Sequence, residues 1–259
     1  MEEENNNPKG LIWAIILSVA IVIISGYLFP ATQPEAPLAA PEGIQSAPLA
    51  AQEQTPAQPL DTAQALAKAP RVKLGNNAIS GSIRLKGARF DDIMLDKYKQ
   101  TLSADSPDVE LLSPSQTAHP YYAEFGWLSN DPKLKLPNSD TLWNLKGSEL
   151  TPESPITLEW DNGKGLRFVR IISVDDNYMF KISDNVENNS DRNITLYPYG
   201  MIARTPDLSN SSTSVVHEGI SGVMDDTLHE VKYKDLDQGE SQDFTTTGGW
   251  TGFSDRYWF

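Results

Sequence analysis

Any chemistry in this chain would have to come from three histidines, His119, His217 and His229, and from the carboxylates and arginines near them. The densest grouping is Asp225-Asp226-Thr227-Leu228-His229-Glu230, which holds the residue types of a metal site or an acid–base pair. Its pattern predicts a turn and a strand rim, where charges are solvated rather than gathered around a ligand. His217-Glu218-Gly219 precedes a predicted strand, a setting that suits a structural histidine better than a general base. No zinc spacing, nucleophile elbow, phosphate loop or EF-hand ligand series occurs. Arg167, Arg170, Arg192 and Arg204 are scattered over predicted strands, without the clustering an anion pocket needs. The sequence therefore points to no catalytic residue, no metal and no cofactor.

The elements that carry these residues have period two. Ile83 and Leu85 alternate with Arg84 and Lys86, and Gly87 breaks the run before Phe90-Asp91-Asp92-Ile93-Met94-Leu95. Ile156, Leu158 and Trp160 share one face of a strand, Asp161–Gly165 is a tight turn, and Arg167–Val174 returns, so 156–174 predicts a hairpin. Asp175-Asp176-Asn177 reads as a second turn and Tyr178–Ile182 as a third strand. Pro198, between Ile194–Tyr197 and Tyr199–Ile202, predicts an edge strand or a bulge, because proline cannot donate to a ladder. Short strands with polar turns every ten residues or so indicate an antiparallel sandwich, and residues 71–247 are one domain's worth of chain. No helix is predicted in it.

Outside that domain the chain changes character. Leu11–Phe29 is uncharged over nineteen positions, and as a helix it would run about 28 Å, close to the hydrocarbon thickness of a bilayer. Trp13 and Tyr27 sit near its ends, where interface aromatics are found. A poorly basic front and the lack of a small-x-small site favour an uncleaved anchor over a signal peptide. Lys9 beside it favours a cytoplasmic N-terminus for residues 1–10. Residues 30–70 carry eight prolines and no aromatic residue, which predicts a disordered, semi-extended tether. Asp61–Lys68 within it could form a helical turn or two.

The other end is aromatic. Gly248-Gly249 reads as a hinge, followed by Trp250, Phe253, Tyr257 and Trp258. In a helix Trp250, Phe253 and Tyr257 would share a face, suited to the headgroup layer of a membrane. A closing strand of the domain is the alternative, and a segment 248–259 running into a membrane is the preferred reading.

Charge excludes one class of partner. From residue 71 onward there are 28 acidic and 19 basic residues, a net charge of −9 that repels nucleic acid and, at long range, anionic headgroups. The chain has no cysteine, so neither a disulfide framework nor a lipoprotein anchor is available.

Several of these segments resemble the bacterial YidC branch of the YidC/Oxa/Alb membrane protein insertases. The resemblance is carried by Gly87-Ala88-Arg89-Phe90-Asp91-Asp92, Val109–Pro114, Tyr121-Tyr122-Ala123-Glu124-Phe125-Gly126-Trp127, Tyr178-Met179-Phe180, Pro198-Tyr199-Gly200, His217-Glu218-Gly219 and Gly248–Phe259, in the expected order. It implies a periplasmic β-supersandwich of galactose-mutarotase-like fold behind one transmembrane helix and a tether, in the bacterial inner membrane. It also implies contacts with the Sec translocon through SecDF, and a chaperone-like insertion activity on nascent membrane proteins, with no covalent chemistry and no cofactor. The groove-bearing core of that family finds no counterpart in residues 1–259, so the chain resembles an N-terminal portion, and Arg256 does not correspond to the groove's positive residue. Two other readings compete: a periplasmic sugar-binding or mutarotase-like domain, and a membrane-tethered envelope docking protein.

Overall fold

The computed structural model describes residues 58–103, 105–207, 217–236 and 241–254. The predicted cytoplasmic tail, the anchor with Trp13 and Tyr27, most of the tether, and Tyr257 and Trp258 lie outside these residues. Among the described residues no helix is long and apolar enough to cross a membrane. They divide into two compact units, one of residues 58–219 with 252–254 and a smaller one of Ile220–Thr251, where the sequence suggests a single domain.

The larger unit begins with a one-turn helix, α1 (Thr62–Leu66). Asp61 caps it, its carboxylate accepting from Gln64 N–H at 2.7 Å, which satisfies one of the free amides of the first turn. Ala65 is buried, and Leu60 N–H donates to Gln116 O at 2.9 Å. The helical turn expected near Asp61–Lys68 is present, and Leu60 ties its start to the sandwich.

One sheet of this unit holds β1 (Arg71–Gly75), β2 (Ile79–Arg84), β3 (Arg89–Lys99), β4 (Asp108–Leu112), β5 (Tyr121–Leu128), β7 (Glu149–Leu150) and β11 (Tyr197–Arg204). Its order is β11-β5-β3-β2-β1-β7, with β4 also on β3. All pairings are antiparallel except β1 with β7, a departure from the purely antiparallel expectation. The break at Gly87 is a left-handed turn, with φ +80° at Gly87 and +50° at Ala88. Pro198 lies opposite Trp127 on β11, which is an edge strand as its missing N–H requires.

The second sheet is β10-β9-β8-β6, with β6 (Asn144–Lys146), β8 (Ile156–Asp161), β9 (Leu166–Val174) and β10 (Phe180–Asn188). The predicted hairpin forms as expected, Ile156 opposite Ile172 and Asp161 opposite Arg167. Asn162 closes its turn by accepting from Lys164 N–H at 2.8 Å and Leu166 N–H at 3.0 Å. The third strand starts two residues later than the sequence suggests. Asp175 Oδ1 accepts from Asn177 N–H at 2.9 Å and Met179 N–H at 3.0 Å, which keeps 175–179 in a turn. β10 then runs on to Asn188, paired along the whole of β9.

The core lies between the two sheets. Val72, Leu74, Ile83, Phe90 and Ile93 from the first meet Leu158, Phe168 and Ile172 from the second. The Phe90 and Phe180 rings meet edge to face at 5.3 Å across the layers. Burying each such side chain contributes roughly 1.5–3 kcal/mol before entropy is counted.

The smaller unit is built on the sheet β13-β12-β14, from β12 (Gly219–Met224), β13 (Thr227–Lys232) and β14 (Gly249–Ser254). Asp225 and Asp226 turn β12 into β13 with φ of +47° and +65°, the two left-handed residues of a tight hairpin. A 3₁₀ turn, Tyr233–Asp235, follows β13.

Candidate functional site

The histidine and carboxylate candidates do not converge. Asp225 and Asp226 are the hairpin turn, and His229 lies on β13 beyond it. Asp225 serves structure. Its Oδ1 accepts from Thr247 Oγ1 at 2.8 Å and Thr247 N–H at 3.0 Å, tying the hairpin to the segment before β14. The Thr247 hydroxyl, then its amide, hold the carboxyl below the ordinary aspartate range. His217 precedes β12, as expected of its position before a strand, and His119 is in the β4–β5 loop, where its carbonyl accepts from Ser113 Oγ at 2.7 Å. Among the described residues no group of three or more His, Cys, Asp or Glu could hold a metal ion.

The four arginines have separate partners. Arg167 bridges Glu159 at 2.9 Å and Glu187 at 2.8 Å, and Lys146 followed by Arg167 holds Glu159 below the usual carboxylate range. Arg192 lies 3.4 Å from Asp131, and Arg204 sits over the Tyr121 ring at 4.9 Å. Arg170 is fully buried and links the two sheets: Nε and Nη2 pair with Asp184 on β10 at 2.7 and 2.8 Å, and Nη2 also donates to Phe125 O on β5 at 3.0 Å. Its Nη1 has no hydrogen-bond partner among the described residues, and the guanidinium faces the rings of Trp143 and Phe125 at 5.4 and 5.8 Å. An arginine already held this way is a cross-brace, which the periodicity of β9 alone could not reveal.

Of the proposed interface aromatics, Trp250 and Phe253 are described, and both lie on β14. Gly249–Ser254 is a strand, the alternative left open for this segment, so these two side chains project to opposite faces instead of sharing a helical one. Gly249 is not a hinge. A Cβ there would come within 1.9 Å of Val223 O, so glycine allows β14 to close against β12. Trp250 is 45% exposed. Phe253 packs edge to face on Tyr121 at 5.8 Å. Tyr121 is thus a partner of the C-terminal run that strand patterns alone do not single out.

A pocket of about 420 Å³ opens within the smaller unit, lined by Ile220, Met224, His229, Val231, Leu236 and Phe244 among others. The His229 and Phe244 rings lie 4.5 Å apart between centroids, tilted by 48° to each other. Asp235 also lines the pocket, yet the walls are mainly apolar and offer packing contact in place of acid–base chemistry.

Comparison with known proteins shows the family of the domain. Residues 71–259 match the family model described as YidC periplasmic domain. The chain is 40% identical over 257 residues to the membrane protein insertase YidC of Rickettsia bellii (strain OSU 85-389), covering 98% of this chain and 46% of that protein. It is 46% identical over 209 residues to the protein of the same name from Beijerinckia indica, covering 79% of this chain and 35% of the relative. The corresponding protein of Bradyrhizobium diazoefficiens is 46% identical over 215 residues, covering 82% of this chain and 34% of the relative. The chain therefore spans less than half the length of these relatives.

Proposed function

This chain belongs to the YidC family, and from that membership we propose that it is the anchored, periplasmic part of a membrane protein insertase. The single observation that carries this reading is the match of residues 71–259 to the family's periplasmic domain, joined to 40% identity with an insertase over nearly the whole chain. In this reading Leu11–Phe29 is an uncleaved span with residues 1–10 in the cytoplasm, and the sandwich works in the periplasm at the inner membrane. Residues 71–247 form the mutarotase-like supersandwich, and Trp13, Tyr27, Trp250, Phe253, Tyr257 and Trp258 sit at the two membrane interfaces.

The physical division of labour is simple. Moving polar segments through hydrocarbon needs a polar path inside the membrane, because each unsatisfied backbone group there costs several kcal/mol. The described units offer sheets, buried ion pairs and a mainly apolar pocket, which are means of holding and docking. In this reading the chain as a whole serves anchoring, spacing and contact with partners, namely nascent membrane proteins and the Sec translocon with SecDF, without covalent chemistry or cofactor.

The test is complementation. The full-length protein carrying this chain, produced in a bacterium depleted of its own insertase, is expected to restore growth and the insertion of a reporter membrane protein. Failure to restore either, with the protein present in the membrane fraction, overturns the proposal.

A further inference from the structure

The chain enters and leaves the larger unit at one corner. Leu60 N–H donates to Gln116 O at 2.9 Å just ahead of α1, so the N-terminal segment arrives at the β4–β5 loop. Phe253, on β14, sets its ring against Tyr121 at the far end of the same loop, 5.8 Å away. Arg204 lies 4.9 Å from the Tyr121 ring, and Thr205 N–H donates to Pro120 O at 2.9 Å. The hairpin between β3 and β4 is at the opposite end. Ile93 pairs with Leu112 and Lys99 with Asp108, so the two ends of that ladder are about 20 Å apart at ~3.3 Å per residue.

The corner also differs in charge from the rest of the domain. Residues 71–259 carry a net −9, yet the stretches 111–123 and 192–206 that supply the corner contain no aspartate or glutamate. They contain His119, Arg192 and Arg204, with Glu110, Glu124, Asp191 and Asp207 at their margins and Asp255 just after Ser254. Ala118 and His119 are exposed at the loop tip. An anionic headgroup layer repels an acidic surface over roughly the 8–10 Å of a Debye length. The loop Ser113–Tyr121 itself, free of acidic residues, adds nothing to that repulsion.

We propose that the Ser113–Tyr121 loop and the adjoining ends of β5 and β11 form the membrane-facing end of the domain, docked on the phospholipid headgroups of the bilayer that anchors the chain. The inference rests on the anchored, periplasmic reading above. The reason for a fixed orientation is reach. Residues 30–57 would span roughly 30 Å as a flexible coil and more if proline-extended, which leaves orientation free. The second connection is short: Tyr257 and Trp258 follow Ser254 within four residues, at most about 14 Å of chain. With those aromatics at headgroup level, Phe253 and the Tyr121 corner are held close to the same surface.

The chain has no cysteine, so single labels can be placed without background. Ala118 and Leu102, at opposite ends of the β3–β4 ladder, are both exposed. The chain carrying Ala118→Cys or Leu102→Cys, labelled with one fluorophore, is reconstituted into phosphatidylethanolamine–phosphatidylglycerol vesicles containing a lipid with a nitroxide on its headgroup. Quenching several-fold stronger at position 118 than at 102 is the expected result. Equal quenching, or stronger quenching at 102, overturns the orientation. Flotation of the same vesicles separates the two levels. Protein that does not float overturns the anchored reading and the docking inference with it, whereas protein that floats with position 118 unquenched overturns the docking alone.

Discussion

Arg89 directs Nε and Nη2 onto one carboxylate oxygen of Glu124, Oε2, at 3.1 and 2.9 Å, with both side chains almost wholly removed from solvent. Its Nη1 donates to Ser115 Oγ at 3.0 Å, and the guanidinium carbon lies 4.4 Å from the Tyr122 ring. The pair therefore joins β3 to β5 and holds the β4–β5 loop from beneath.

Breaking that pair from one side leaves a buried charge without its partner. Glu124→Ala is expected to destabilise the domain by about 3–5 kcal/mol, far more than the loss of an exposed ion pair such as Lys73–Glu149. Urea denaturation of Glu124→Ala beside Glu149→Ala checks this. Equal midpoints would show that Arg89 finds compensation elsewhere.

Two glycines with left-handed φ should respond differently to alanine. Gly81 has φ +142°, and a Cβ there would fall 2.1 Å from Asp92 O in the partner strand. Gly163 has φ +71° with nothing within 4 Å. Gly163→Ala should cost about 1–2 kcal/mol, the steric penalty of a left-handed residue. Gly81→Ala adds a backbone clash to that penalty and should lower the melting temperature considerably more. Thermal unfolding followed by circular dichroism ranks the two.

Asp225 makes the smaller unit sensitive to acid. Its folded-state pKa lies below the ordinary 3.8 because Thr247 donates to the ionised form. The stabilisation is present above the unfolded pKa and is lost as pH falls through the folded value, so the effect belongs below about pH 4. Asn tolerates the left-handed conformation at this position, and Asp225→Asn should flatten the acid limb of unfolding while leaving the fold intact. Amide exchange of Thr247 and Gly248 between pH 3 and 6 reads the change. An acid limb unchanged in the variant would show that another group titrates there.

The sequence by itself determined what is local. Alternation predicted β8 and β9 with their turn, since side chains of a half-buried strand must alternate. Pro198 predicted an edge strand or a bulge because it has no N–H to donate, and the structure makes it an edge. A helical turn was expected within Asp61–Lys68, whereas its cap at Asp61 came from the structure. Family membership was equally legible, in short motifs spread along the domain. The start of β10 was not, because Asp175 had to be seen capturing Met179 N–H before that residue could be excluded from the strand.

Tertiary structure alone decided the rest. Gly248-Gly249 reads as a hinge until Val223 O is found where a side chain of Gly249 would stand. Trp250 and Phe253 share a helical face until β14 separates them. Arg170 and Arg204 are alike in sequence, yet one braces two sheets and the other covers Tyr121. The common reason is range. Periodicity and turn chemistry act over a few residues, whereas each of these outcomes depends on an atom brought from at least twenty residues away by the pairing of strands.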